Sequence, residues 1–286
     1  VATPIPKRAI VPTLLTLGNA VSGLAAVAFT SKIGKIGTTP EDNWFYMASG
    51  GWLIVVAMLF DALDGYAARL SKTAGHFGAE LDSLCDAISF GLAPAFLLFQ
   101  VGPAWEQPSG WFWHRALVIA ATIYLVGVIL RLARFNVENL TGAATGGTKK
   151  FRGLPSPAAA GCVASLAIVK GSLHANWPSL DTPAVHTAIE TVAIFGSLLV
   201  AVLMVSPVPY PHLTKGLLGG RKKAVLPLFT LIPVCLLSVL LRELMLVVLF
   251  WTYALAWLGT FAFGPRTKPV TPTPAVDASA PSPHGP

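Results

Sequence analysis

Apolar residues come in long blocks along this chain, separated by short polar stretches. A helix that crosses a bilayer needs about 20 mostly apolar residues, within a range of ~17–25. Each block reaches or nearly reaches that length. The pattern predicts spans over residues 9–30, 45–68, 79–101, 113–135, 154–173, 184–206, 224–242 and 244–263. Only Arg242 and Glu243 separate the last two. Past Gly264 the chain turns to Pro, Thr, Ser and Ala, which reads as a disordered tail over 264–286 behind one transmembrane unit over 1–263.

Composition agrees with the pattern and excludes other classes. Of 286 residues 54% are apolar and 12% are charged, and the mean hydropathy is +0.66. A water-facing domain carries about 25% charged residues, so a soluble enzyme and a disordered protein are both excluded. The expected fold is an all-α integral membrane protein. The net charge of +7 belongs to loops in such a chain and does not point to nucleic acid. With an even number of spans, fifteen of the twenty Lys and Arg fall on the side of the termini and five on the other; Lys170 counts among the five. That bias places both termini in the cytoplasm. Lys222 and Lys223 read as a patch for anionic lipids. Cys85, Cys162 and Cys235 all fall in spans and read as small buried residues, not as disulfides or metal ligands. No cleavable signal peptide is expected, since Pro12 and Gly18 interrupt the first block.

Four acids change the picture. Asp61 and Asp64 end span 2, and Asp82 and Asp86 begin span 3. A charge at the centre of a spanning helix costs about 2.5–3.5 kcal/mol, so four of them call for a wet cavity or for cations. At about 100° per residue, Asp61, Asp64, Gly65 and Ala68 share one helix face. Gly78, Asp82 and Asp86 share a face of the next helix, and the short connection makes the two helices antiparallel neighbours. Two acidic faces then meet. An all-oxygen set suits Mg²⁺ or Mn²⁺ over zinc, and the small residues leave room for something bulky beside the metal. Acids, a hard metal and missing side chains together suit a substrate bearing a diphosphate.

Residues 61–86 match, position by position, D-x-x-D-G-x-x-A-R-x8-G-x3-D-x3-D, the signature of the CDP-alcohol phosphatidyltransferases. Eight specified residues at about one chance in twenty each make an accidental match on the order of one in 10¹⁰ per start site. The chain thus resembles a family of membrane enzymes that move a phosphatidyl group from a CDP-linked lipid to an alcohol and release CMP. The resemblance implies a homodimer with a six-helix core and two metal ions per site. It implies that Asp61, Asp64, Asp82 and Asp86 hold the ions and that Asp86 is the general base. Thr16, Asp64, Gly65, Ala68, Arg69, Gly78 and Asp82 would bind CDP-diacylglycerol.

Further segments resemble one branch, the bacterial integral-membrane phosphatidylserine synthases. They are Pro12-Thr-Leu-Leu-Thr16-Leu-Gly-Asn19, Arg131-Leu-Ala-Arg134-Phe-Asn136, Gly153-Leu-Pro155-Ser156-Pro157, and Met204-Val-Ser206 with Tyr210-Pro211. Thr13 departs from the Asn that many relatives carry after the proline. The branch implies L-serine as acceptor and a bacterial inner membrane with the active site facing the cytoplasm. Serine carries a carboxylate, and an arginine fork matches a carboxylate where lysine does not. Tyr124, Gly127, Arg131 and Arg134 fall on one face of span 4. Arg131 or Arg134 is therefore expected to hold the serine carboxylate, with Asn136 and Ser156 as polar contacts; the same arginines would also suit the diphosphate. Asn19 and Thr16 also read as interhelical hydrogen-bonding groups. The alternatives are another acceptor such as glycerol 3-phosphate or inositol phosphate, a membrane prenyltransferase, and a proton-coupled transporter.

Overall fold

The computed structural model describes residues 10–71, 76–102, 111–145, 153–208 and 243–263. The regular elements among them are helices: α1 (Ile10–Thr30), α2 (Pro40–Ser71), α3 (His76–Asp86), α4 (Ala93–Val101), α5 (Trp111–Thr145), α6 (Ser156–Asn176), α7 (Pro183–Val205) and α8 (Leu244–Phe263). A π-helical turn, Ala87–Leu92, joins α3 to α4 without a break, so the three form a single crossing rod. Helices are what the apolar blocks require, because in hydrocarbon every backbone N–H and C=O must be paired within its own segment.

Among the described residues, six helical stretches are long and apolar enough to cross a membrane: Ile10–Thr30, Pro40–Ala68, Phe77–Val101, Phe112–Glu138, Ser156–Asn176 and Pro183–Val205. They coincide with the first six expected spans, and α2 extends furthest beyond its expected start. α8 covers the eighth, with a shorter apolar stretch over Leu244–Ala256. The expected span 224–242, the tail 264–286, Cys235, Lys222 and Lys223 lie outside the described residues. The chain is an all-α, multi-pass membrane protein.

α6 is the central helix. Its apolar window is 83% buried, against 56% or less for the other five. Small side chains explain this: Ala159, Ala160, Gly161, Ala164, Ala167 and Gly171 let neighbouring backbones approach closely. α2, α4, α7 and α8 all pack around it. By contrast, α1 exposes Val11, Leu14, Val21 and Leu24, and α5 exposes Ile119, Ile123, Val126 and Leu130. In a bilayer such faces meet lipid tails as apolar as themselves.

The entry to α6 is fixed by a backbone that only glycine tolerates. Gly153 has φ +90°, and a Cβ there would lie 2.2 Å from the Met204 carbonyl oxygen. Its amide donates to Val208 O at 2.8 Å, and that of Leu154 to Leu203 O at 3.1 Å. Pro155 and Pro157 follow at the helix start, where a missing N–H leaves nothing unpaired. Ser156 is thereby set beside the C-terminal end of α7. Cys85 and Cys162 are buried free thiols.

At the other end of the bundle Lys170 is corrected from an outer-side charge to a buried one. It is 1% exposed, and its Nζ donates to Glu190 Oε1 at 2.7 Å and to Val101 O at 2.5 Å. The ring of Trp44 lies 5.9 Å from the ammonium.

Candidate active site

α2 carries Asp61 and Asp64 nearly one turn apart, and α3 carries Asp82 on the facing rod. Both helices lean on α1. One oxygen from each of these three carboxylates lies within 4.8 Å of the others. Asp64 is 5% exposed, and its Oδ2 is buried with no hydrogen-bond partner; Asp82 Oδ1 is in the same state. Leaving a buried acceptor unsatisfied costs about 1–3 kcal/mol, and more when it is charged. Three convergent carboxylates, two of them with orphaned oxygens, are a donor set that fits a hard divalent cation. Thr16 and the Gly65 amide stand near Asp64. Gly78 is exposed on α3 with open space where a Cβ would be, and Ala68 is half-buried on α2. The Arg69 side chain lies outside the described residues.

Asp86 sits one turn deeper along α3 and does not join the 4.8 Å group. It is 8% exposed, and its Oδ1 accepts from Asn19 Nδ2 of α1 at 3.0 Å. The π turn begins at the next residue, and two hydrogen bonds brace it. Ser89 Oγ donates to Asn19 O at 2.8 Å, and Tyr124 donates its hydroxyl to Phe90 O at 2.7 Å. A π turn widens the i→i−4 ladder and is common at functional sites; here Tyr124 satisfies the Phe90 carbonyl of the irregular stretch, and Ser89 of the turn ties it to α1. Gly23 permits the close approach of α1, since a Cβ there would lie 2.5 Å from Ser89 Oγ. Asp86 is thus positioned by α1 and by the turn that follows it.

Among the described residues, one cation faces these acids. Arg131 Nη1 donates to Ser156 Oγ at 2.8 Å, while its Nε is buried without a partner. The charges of Asp86 and Asp61 act on it from within the site. Arg134 goes elsewhere: its Nε pairs with Glu138 at 2.8 Å, and its Nη1 reaches Val205 O at 3.5 Å. Asn136 accepts from Ser83 Oγ at 2.9 Å and donates to Glu80 Oε2 at 3.4 Å, bracing α5 against α3. Of the four residues expected at the acceptor, Arg131 and Ser156 are brought together beside the acids, and Arg134 and Asn136 are not. The shared face of α5 also meets several partners, with Tyr124 under the π turn and Gly127 against Ala201 of α7. Sequence reasoning singled out Asn19 but not its bond to Asp86. It missed Ser89, because serines are ordinary residues in spans and carried no spacing signal.

Comparisons with known proteins agree with this geometry. The sequence model of the family described as CDP-alcohol phosphatidyltransferase matches residues 9–203. The CDP-diacylglycerol–serine O-phosphatidyltransferase of Helicobacter pylori is 31% identical over 242 residues, which cover 84% of this chain and 86% of that protein. An enzyme of the same name from Methanocaldococcus jannaschii is 43% identical over 108 residues, 38% of this chain and 45% of that one. The archaetidylserine synthase of Methanothermobacter thermautotrophicus is 36% identical over 162 residues, 56% of this chain and 57% of that one. No solved structure gives a significant match.

Proposed function

The chain belongs to the CDP-alcohol phosphatidyltransferase family, and on that premise we propose that it transfers the phosphatidyl group of CDP-diacylglycerol to the hydroxyl of L-serine, giving phosphatidylserine and CMP. One observation carries the choice of acceptor. Arg131, held by Ser156, turns an unpaired Nε into the site beside the acids, where a carboxylate on the acceptor would find a fixed donor. The names of the relatives point the same way.

Asp61, Asp64 and Asp82 would hold two divalent ions, Mg²⁺ or Mn²⁺, with Asp86 within one turn as a further ligand. Bound there, the ions would supply neutralisation of the diphosphate and of the leaving CMP. Thr16, Gly65, Ala68 and Gly78, together with Asp64 and Asp82, would line the nucleotide side, and the signature assigns Arg69 to the same role. The serine hydroxyl oxygen bonds to the lipid-side phosphorus as the bond from that phosphorus to the CMP oxygen breaks. Asp86 takes the hydroxyl proton; Asn19 holds its Oδ1, which leaves Oδ2 to receive it. Arg131 and Ser156 orient the serine carboxylate, while Arg134 pairs with Glu138 and Asn136 braces α5 against α3. The working unit is a homodimer of one transmembrane domain, 1–263, with the tail 264–286 outside it. The charge bias of the loops supports an active site on the cytoplasmic face of a bacterial inner membrane.

The test is an acceptor panel. Purified protein in mixed micelles receives CDP-diacylglycerol with serine, glycerol 3-phosphate or inositol phosphate, and CMP and the lipid product are measured. Serine is expected to give phosphatidylserine; transfer to another acceptor with none to serine overturns the reading. Arg131→Lys is expected to raise KM for serine and leave that for CDP-diacylglycerol in place. The reverse split would assign Arg131 to the diphosphate.

A further inference from the structure

α3 and α4 form one rod, and a single residue interrupts its ladder. In an α-helix the amide of residue 94 donates to the carbonyl of residue 90. Position 94 is proline, which has no N–H. The π turn Ala87–Leu92 lies just before it, and there the Ala93 amide reaches back five residues to Ile88 O. The Phe90 carbonyl, left without its α-helical donor, accepts from the Tyr124 hydroxyl of α5 at 2.7 Å. Tyr124 is fully buried, and a buried tyrosine needs a partner for its hydroxyl. Each group supplies what the other lacks.

The extra residue in the turn decides where the acids of α3 point. In an unbroken α-helix, Asp82 and Asp86 would both lie within about 20° of Ala93, and Asp86 within about 20° of Leu97. Ala93 and Leu97 belong to the buried apolar core. One inserted residue rotates everything before it by about 100° relative to everything after it. Asp82 and Asp86 are thereby turned off the core face. Asp82 meets Asp61 and Asp64 instead, and Asp86 meets Asn19. The turn is gripped from two sides. Towards α1, Ser89 Oγ donates to Asn19 O at 2.8 Å. Towards α5, Gly91 lets the helices close, since a Cβ there would lie 3.2 Å from Leu125 and 3.3 Å from Val128.

We propose that Tyr124 is a positioning residue for the transfer reaction: its hydroxyl holds the π turn that Pro94 requires, and the turn aims Asp82 and Asp86 into the site. This rests on the reading of Asp86 as the group that takes the acceptor's proton. Tyr124 acts through the backbone of the turn and not by touching substrate.

The experiment compares wild type, Tyr124→Phe and Trp251→Phe in mixed micelles, with Mn²⁺ binding followed by electron paramagnetic resonance on the same samples. Tyr124→Phe keeps the buried ring and removes only the hydroxyl. It is expected to lower kcat on the order of tenfold, as losing one hydrogen bond does, and to weaken Mn²⁺ binding. KM for serine and for CDP-diacylglycerol should stay near those of wild type. Trp251→Phe removes a comparable interhelical bond, from Nε1 to Cys162 O at 3.2 Å between α8 and α6. It should lower the melting temperature and leave kcat and Mn²⁺ binding in place. Adding Pro94→Ala to Tyr124→Phe gives the Phe90 carbonyl an amide from its own helix. The melting temperature should then recover and kcat should not, because a regular ladder does not aim the acids. Wild-type kcat in Tyr124→Phe, an equal loss in Trp251→Phe, or joint recovery of melting temperature and kcat in the double variant overturns the proposal. The wild-type acceptor panel separates this from failure of the functional reading. If wild type takes a different alcohol, serine is wrong, and Tyr124 is judged on the kcat for that alcohol. If it transfers to none, Tyr124 is judged on Mn²⁺ binding alone.

Discussion

The two ends of this bundle bury charge in opposite ways. At one end Lys170 and Glu190 form a pair at 2.7 Å, and a backbone carbonyl and an aromatic face complete the lysine's surroundings. Nearby, Asp181 accepts from His174 and His186, and His186 stacks on Trp44. At the other end Asp61, Asp64 and Asp82 crowd together with like charge, and buried oxygens of Asp64 and Asp82 have no partner. A paired charge in a membrane protein ties helices together. A crowded, orphaned set costs stability and is kept for what it binds.

The sharpest break in this comparison is to neutralise each end in turn. Asp61→Asn or Asp82→Asn is expected to lower the rate of CMP release by about three orders of magnitude. The same changes should leave the melting temperature in detergent unchanged or raised, since they relieve repulsion. Excess chelator should silence wild type reversibly, with Mg²⁺ or Mn²⁺ restoring it. Full activity in excess chelator would remove the metal from the account.

Lys170→Met should do the reverse. It strands Glu190 in an apolar setting, a loss of about 3–5 kcal/mol, seen as a large drop in melting temperature. Lys170→Met combined with Glu190→Leu should recover most of it, because no charge is then left alone. A single variant that melts with wild type would show that this pair does not hold the helices together.

The smallest effect lies in the connection between α6 and α7. Hydrogen bonds from His174 and then His186 hold the Asp181 carboxyl below its ordinary range. A lowered folded pKa adds stability above the unfolded value, near 3.9, and that stability is lost as pH falls through the folded value. The group is largely solvated, so the contribution is below about 1 kcal/mol. The melting difference between wild type and Asp181→Asn should be present at pH 6 and shrink towards pH 3. A difference that stays constant over that range would assign it to packing.

What the sequence determined by itself follows from one-dimensional rules. Block length and the bilayer's thickness set six of the spans, and helical spacing put Asp61 and Asp64 on one face and Asp82 on another. These needed only local geometry, so they were legible before any packing was known. Lys170 looked like an outer-side charge because its partner Glu190 is twenty residues away on another helix, and nothing local links them. Arg131 and Arg134 share a helix face in sequence, yet one turns to Ser156 and the other to Glu138. Face sharing gives a direction but not the neighbour waiting there. The bond from Asn19 to Asp86, the bracing of the π turn by Tyr124 and the seating of Phe250 and Trp251 against Gly161 and Gly196 all join distant segments. Only the tertiary structure decides such contacts, because they depend on which small residues let which backbones close.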